Sequence, residues 1–348
     1  MFQKVLVANR GEIAVRVIRA LREMGIRSVA IYAKEDEHSL HVQLADQRAC
    51  IGDDFTHYFN KERIVTSALV FEANAIHPGC GFLAESPDFA YLCAKNKITF
   101  IGPPAGVLEN LNGKTSIDNL KGSQHIEIQL IADNHGNIIT SCERIHTIRQ
   151  KERILLSESP SPAISPAMRK ALEEAAAVAA RETGYINAGT AKFVLDDEGN
   201  FELSKIKPCI QAGHGITEMV MGMDLAIEQI RVAAGESLNL FSDVKMTGHA
   251  MECRIYPEPT VRGLGRTFCK VTNMHLPSGN GIRVDTALYT GCEISHDCNE
   301  PIAQILVHAP TRKRAAAKMR STLDETVILG VDTNLDFLFQ TAKAIESE

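Results

Sequence analysis

The opening 32 residues constrain the fold most. An apolar run from Lys4 to Ala8 (KVLVA) stops at Asn9-Arg10-Gly11, and Ile13, Val17, Leu21 and Met24 then recur at helical spacing up to Gly25. A second apolar run, Ser28 to Tyr32, follows at once. Strand, helix and strand in this order imply parallel pairing, and hence an open α/β sheet. Further units at 61–77 and 86–101 extend it, and Gly102-Pro103-Pro104 marks its edge.

Beyond that edge the pattern changes. Residues 113–124 are short, polar and without periodicity, which predicts a linker. Strand-like runs at 125–132 and 137–142 flank Asn134-His135-Gly136, a hairpin signal. The Ser/Pro stretch 157–166 predicts a loop, after which Ser165 can cap a helix that has Pro166 in its first turn and stops at Gly184. Its Ala-rich face suits close packing on a sheet. Strands are expected at 191–195 and 201–206, a helix at 224–235, short strands and turns over 248–308, and a basic helix with a solvated face at 311–324.

Composition removes whole classes of function. A chain of 348 residues favours two or three domains, and 45% hydrophobic with 23% charged residues excludes disordered and fibrous readings. Lys plus Arg number 37 against 43 Asp plus Glu, a net charge of -6 that argues against nucleic acid or an anionic membrane as partner. No apolar stretch approaches the ~20 residues that span a bilayer. Nine scattered cysteines without a CxxC pair suit reduced cytoplasmic thiols better than a disulfide framework. His296-Asp297-Cys298 and the pair His38/His41 lack a second ligand pair at zinc-site spacing, so no metal is expected. There is no GxGxxG, no Walker A pattern and no pair of adjacent glycines. The Asn9-Arg10-Gly11 turn can offer N–H groups to an anion, or simply cap a helix.

Seven stretches say more: VLVANRGEIAVRVIRALREMGI from residue 5, AIHPGCGFLAESPDFA (75–90), FIGPP (100–104), HIEIQ (125–129), GHAMECRIYPE (248–258), PSGNGIRVD (277–285) and GVDTNLDFL (330–338). In content and order they resemble biotin carboxylase. The resemblance implies an α/β chain with a Rossmann-like N-terminal domain at 1–104, a linker at 105–124 in place of a lid, a truncated ATP-grasp core of antiparallel strands and helices at 125–240, and a C-terminal domain at 241–348. It implies a ligase reaction in which ATP, magnesium and bicarbonate yield carboxyphosphate, whose carboxyl group moves to biotin on a carrier protein. In acetyl-CoA carboxylase this serves fatty-acid synthesis.

Departures from the family pattern set a second expectation. The family places a lid with a glycine-rich loop between the positions of Lys114 and His125, which together belong to the ATP site; here ten residues separate them. Lys192 and Lys205 stand where the resemblance calls for magnesium-binding glutamates, and Lys207 where it calls for an asparagine. Protonated lysines have no lone pair to give a cation. Cys209 occupies the position of a bicarbonate-binding arginine and Gly213 that of a general-base glutamate, and glycine takes no proton. Glu152, Ile154 and Gln304 likewise replace a histidine and two lysines. Lys114, His125, Gln211, His214, Glu218 and Arg283 are retained, Arg283 at the position that faces the reacting biotin.

The expectation is therefore a biotin carboxylase-like protein that has lost carboxylation, binds no cofactor and serves as a scaffolding or regulatory homologue. Arg16, Arg19 and Glu23 match positions of twofold contact, which suggests a homodimer or a heterodimer with a family carboxylase, with biotin carboxyl carrier protein as a further partner. The competing expectation is an ATP- and bicarbonate-dependent biotin carboxylase subunit. A third is a small-anion or nucleotide sensor built on the N-terminal domain and Lys114.

Overall fold

The structure, a computed structural model, describes residues 1–112, 124–196, 198–238, 245–258, 268–295 and 300–347. Lys114, most of the expected linker and His296-Asp297-Cys298 lie outside the described residues.

The N-terminal unit runs β1 (Lys4–Val7), α1 (Gly11–Glu23), β2 (Arg27–Ala33), α2 (Leu40–Leu44), β3 (Gln47–Gly52), α3 (Lys61–Val70), β4 (Ala75–His77), α4 (Pro87–Lys95), β5 (Thr99–Phe100) and α5 (Ala105–Asn112). Its strands form a parallel sheet in the order β3-β2-β1-β4-β5, as the opening pattern requires. One sheet face packs against Ile64, Val65 and Ala68 of α3 and Phe89 and Cys93 of α4. The other packs against Ala14, Val17, Ile18 and Leu21 of α1. Strands buried on both faces are continuous apolar runs, which is why KVLV and SVAI read so clearly. In the Asn9-Arg10-Gly11 turn, Gly11 supplies a φ of 65°, and Asn9 Nδ2 donates to the carbonyls of Pro78 and Cys80, each at 2.8 Å. The turn ties β1 to the loop after β4, and no side chain caps α1.

The rest of the chain is organised by an eight-stranded antiparallel sheet. Its elements are β6 (Gln124–Ala132), β7 (Ile138–Gln150), β8 (Arg153–Ser159), α6 (Pro166–Thr183), β9 (Asn187–Leu195), β10 (Phe201–Lys207), α7 (His214–Met221), α8 (Leu225–Ala233), β11 (His249–Ile255), β12 (Phe268–Lys270), β13 (Asn273–His275), β14 (Ile282–Thr286), β15 (Glu293–Ser295), β16 (Ala303–Ala309), α9 (Arg312–Glu325), β17 (Val327–Leu329) and α10 (Leu335–Ser347). The strand order is β10-β9-β6-β7-β8-β11-β16-β14, so the central and C-terminal parts of the chain share one sheet through β8 and β11. Two-stranded pairs β12-β15 and β13-β17 flank it.

Helix α6 forms as its caps predict: Ser165 Oγ accepts from the Met168 N–H at 3.2 Å, and Gly184 closes the helix at φ 64°. Its Leu172, Ala176 and Ala180 pack on Ile126, Ile128 and Leu130 of β6. Helix α8 reaches back to the N-terminal unit, where Ala226 and Ile230 join the core under α1.

The structure differs from the sequence-based expectation at 143–159. Strand β7 continues to Gln150, and Ser157-Glu158-Ser159, expected in a loop, belong to β8. Buried partners explain the polar strand: Glu158 accepts from Arg312 Nε at 2.8 Å and Thr147 Oγ1 at 2.9 Å, and lies 2.9 Å from His249 Nε2. These three partners are remote in sequence or lie on a neighbouring strand. Nothing in the local pattern signals them.

Candidate active site

Strand β6 alternates. Ile126, Ile128 and Leu130 face α6, so His125, Glu127 and Gln129 face the other way. Across the sheet Glu127 stands opposite Lys192 of β9 on one side and Arg144 of β7 on the other, and Lys192 stands opposite Lys205 of β10. The row therefore reads Lys205, Lys192, Glu127, Arg144.

Glu127 is buried and doubly engaged. Lys192 Nζ lies 2.8 Å from its Oε1 and His146 Nε2 3.2 Å from the same oxygen, while Arg144 Nη2 donates to Oε2 at 3.2 Å. Burial raises the carboxyl pKa, but Lys192, His146 and Arg144 outweigh it and hold Glu127 well below the usual carboxylate range. Arg144 is wholly buried; its remaining bonds run to Gln129 Oε1 and Thr217 Oγ1, both at 2.7 Å, and to Thr190 Oγ1 at 3.1 Å. Lys207, at the end of β10, places Nζ 2.8 Å from both carboxylate oxygens of Glu85. Lys205 and His125 also have interaction partners.

A second ionic cluster lies where α1, α7 and β14 meet. Glu218 of α7 accepts from Arg16 Nη2 at 3.0 Å and from Arg283 Nη1. Arg16 also contacts Asp224 at 2.6 Å, and Arg283 holds Asp285 through Nη2 at 2.6 Å and Nε at 3.0 Å. Burial raises the pKa of Glu218, but His214, Arg16 and Arg283 bring it down to about 2. His214 is buried with Nδ1 2.9 Å from the Gln211 carbonyl, and burial lowers its pKa. Gly213 fills the space between the clusters: a Cβ there would lie 3.4 Å from Arg254 Nη2 and 3.5 Å from Arg144 Nε. Beside them Cys209 Sγ lies 3.7 Å from Cys80 Sγ, and Gln211 Nε2 lies 3.3 Å from Cys209 Sγ.

The structure thus brings Lys192, Lys205, Gly213, His214, Glu218 and Arg283 to adjoining positions around α7 and one face of the sheet. Of the residues expected at a twofold contact, Arg16 is buried on its ion pairs with Glu218 and Asp224, whereas Arg19 and Glu23 are exposed. Sequence reasoning did not single out Glu127, Arg144, Cys80 or Glu12. For Glu127 and Arg144 the available signal was polar alternation within strands otherwise rich in isoleucine.

Magnesium does not fit these residues. Lys192 and Lys207 direct ammonium groups to carboxylates, Glu127 is already surrounded by cations, and among the described residues no group of three or more His, Cys, Asp or Glu could hold a metal ion. No helix among the described residues is long and apolar enough to cross a membrane.

A parallel α/β unit joined to a large antiparallel sheet with α7 across its polar face defines an ATP-grasp-type architecture. Residues 1–108 match the family description "Biotin carboxylase, N-terminal domain", 115–241 match "Carbamoyl-phosphate synthase L chain, ATP binding domain", and 252–347 match "Biotin carboxylase C-terminal domain". The chain belongs to the biotin carboxylase family. It is 35% identical to biotin carboxylase 1 of Bacillus subtilis over an alignment of 422 positions, covering 97% of this chain and 94% of that one. Among solved structures it is similar to the biotin carboxylase domain of thermophilic 2-oxoglutarate carboxylase bound to bicarbonate, with TM-score 0.92, 34% identity and coverage of 99% and 94%. It is also similar to the biotin carboxylase domain dimer of the Hydrogenobacter thermophilus 2-oxoglutarate carboxylase with MgADP, ADP and bicarbonate, with TM-score 0.91, 33% identity and the same coverage.

Proposed function

We propose that this chain is a biotin carboxylase homologue that does not itself carry out ATP-dependent carboxylation and acts as a scaffolding or regulatory subunit. The observation that carries this reading is the Lys205-Lys192-Glu127-Arg144 row, in which three cations and one carboxylate occupy a face where phosphoryl transfer needs oxygen ligands for a divalent metal. Gly213, Cys209 and Gln304 add to it, since none supplies the base or the cations that bicarbonate chemistry requires. An alignment of 422 positions also exceeds the 348 residues of the chain, which supports the reading that this chain lacks stretches its relative has.

The comparisons favour a second reading, an ATP- and bicarbonate-dependent biotin carboxylase subunit. Relatives across nearly the whole chain carry that name, the similar structures hold MgADP and bicarbonate, and this chain keeps Gln211, His214, Glu218 and Arg283. The two readings separate in one assay: ATP hydrolysis by the purified chain with magnesium, bicarbonate and free biotin. The first expects no biotin-dependent turnover. A rate of ~1 per second or above establishes the second.

In either case the chain is read as a cytoplasmic protein that pairs with a second copy or a family carboxylase through the exposed Arg19 and Glu23 of α1, and meets a biotin carboxyl carrier protein. The solved dimer of the Hydrogenobacter thermophilus domain supports a twofold arrangement.

A further inference from the structure

We propose that Cys80 and Cys209 form a redox-active dithiol, oxidised by hydrogen peroxide or a peroxide of similar size to a reversible disulfide that joins the N-terminal unit to the large sheet. The two residues lie 129 positions apart in sequence, on the loop after β4 and just beyond β10, with sulfurs 3.7 Å apart. Two neighbouring constraints keep these segments facing each other. Asn9 Nδ2 donates to the Cys80 carbonyl at 2.8 Å, and Lys207, two residues before Cys209, binds both oxygens of Glu85, five residues after Cys80. Two thiols held this way meet at a local concentration far above that of any free thiol.

Access and activation are divided between the two residues. Cys80 is half-buried and gives a small oxidant its approach, whereas Cys209 is buried. The Cys209 sulfur receives the Gln211 amide at 3.3 Å and the Gly81 backbone N–H. Among its neighbours, contact with Cys80 does most to hold the Cys209 thiol below its usual pKa, and contact with Cys209 does most to hold Cys80 above it.

The chemistry balances without another cofactor. Cys80, the half-buried sulfur of the pair, gives up its proton and attacks one peroxide oxygen; the O–O bond breaks, and the departing hydroxide takes up that proton and leaves as water. Cys209, deprotonated in its turn, attacks the resulting sulfenic sulfur on Cys80, the S–O bond breaks, and the second oxygen leaves with that proton as water. Two thiols are oxidised to one disulfide as one peroxide is reduced to two waters. Thiol exchange with an external dithiol reverses it. The link is independent of whether the chain turns over ATP.

The test treats the full chain with stoichiometric hydrogen peroxide, blocks remaining thiols, and maps peptides by mass spectrometry without reduction. The expected result is a cross-linked peptide pair containing Cys80 and Cys209 in most chains, two hydrogens lighter and released by dithiothreitol, with the buried Cys93, Cys142 and Cys253 still thiols. Oxidation should also raise the thermal midpoint by several degrees, an effect absent from Cys80→Ser and Cys209→Ser. Recovery of both cysteines as thiols, sulfinic acid on either without a cross-link, or pairing of either cysteine elsewhere overturns the proposal. The mapping uses the unaltered protein, so it decides the matter even where a variant fails to fold.

Discussion

Lys192 shows why single residues in this site do not act alone. Its ammonium balances a buried carboxylate, so Lys192→Glu removes an ion pair and sets a second carboxylate beside Glu127. Leaving a buried charge uncompensated costs about 3–5 kcal/mol. Urea unfolding should show a loss of that order, and a loss below about 1 kcal/mol shows that Glu127 is balanced by Arg144 and His146 without help. Lys192→Glu combined with Lys205→Glu, Lys207→Asn, Cys209→Arg and Gly213→Glu should respond differently. Carboxylates facing one site attract a divalent ion. Millimolar magnesium should raise the thermal midpoint of that variant and not of the parent, while the proposed lidless reading expects carboxybiotin formation from labelled bicarbonate to stay at background, since water that reaches the phosphates hydrolyses carboxyphosphate. Gly213→Glu alone should be nearly neutral for stability, within about 1 kcal/mol. Its φ of -75° suits any residue, no atom comes closer than 3.4 Å to the new Cβ, and the new carboxylate meets Arg254 and Arg144.

At the scale of elements, α1 has two charged surfaces with different work. Arg16 points inward and fastens α1 to Glu218 of α7, and Arg19 and Glu23 point to solvent. Arg16→Ala should therefore destabilise the fold by about 3 kcal/mol, because Glu218 loses one of its two arginines in a buried setting. Arg19→Glu should leave the unfolding midpoint unchanged and weaken self-association, read by light scattering at micromolar concentration. A monomer in the parent chain, both alone and with a family carboxylase, removes the twofold role from α1. The same division explains the limits of pattern reading. Ile13, Val17 and Leu21 announce the helix and its buried side, but an arginine at helical spacing from other arginines gives no sign that it turns inward toward a glutamate 202 residues away.

For the whole molecule, buried titratable groups set how stability varies with pH. Burial raises the Glu12 pKa to about 8, helped by Asp285 and Glu252 and opposed by Arg254, and Gln304 Nε2 donates to its Oε1 at 3.0 Å. A raised carboxyl pKa favours the protonated form in the folded chain. Its contribution is complete below the unfolded value near 4.5 and is lost as pH rises through 8. Glu12→Gln keeps the bond from Gln304 and removes the ionisation. Relative to the parent it should gain roughly 3–5 kcal/mol between pH 5 and pH 9, measured by denaturant unfolding at both values. On the acid side burial lowers His77 and His41 to about 4, so the neutral rings favour the folded state and stability falls as pH drops from 6.5 toward 4. Glu218 and Glu158, each at about 2, extend that loss from pH 4.5 downward. A Glu12→Gln variant whose stability tracks that of the parent from pH 5 to pH 9 contradicts the buried setting of the Glu12 carboxyl, because the His77 and His41 contributions cancel in that difference.

The parallel N-terminal sheet, the caps of α6 and the family were all legible along the chain, because they rest on contiguous residues: apolar runs of strand length, a Ser-Pro start and a glycine stop, and seven ordered stretches. The sequence also marked Lys192, Lys205, Lys207, Cys209 and Gly213 as unusual. What surrounds them follows from the packing of strands and helices. The register of β10, β9, β6 and β7 sets two lysines opposite each other and one of them against Glu127, and sheet register depends on pairings among strands tens of residues apart. The closeness of Cys80 to Cys209, the inward turn of Arg16 and the burial of Glu12 depend on how the N-terminal unit packs on the large sheet. Charge and burial at such places are properties of neighbours in space, and a linear pattern carries only neighbours along the chain.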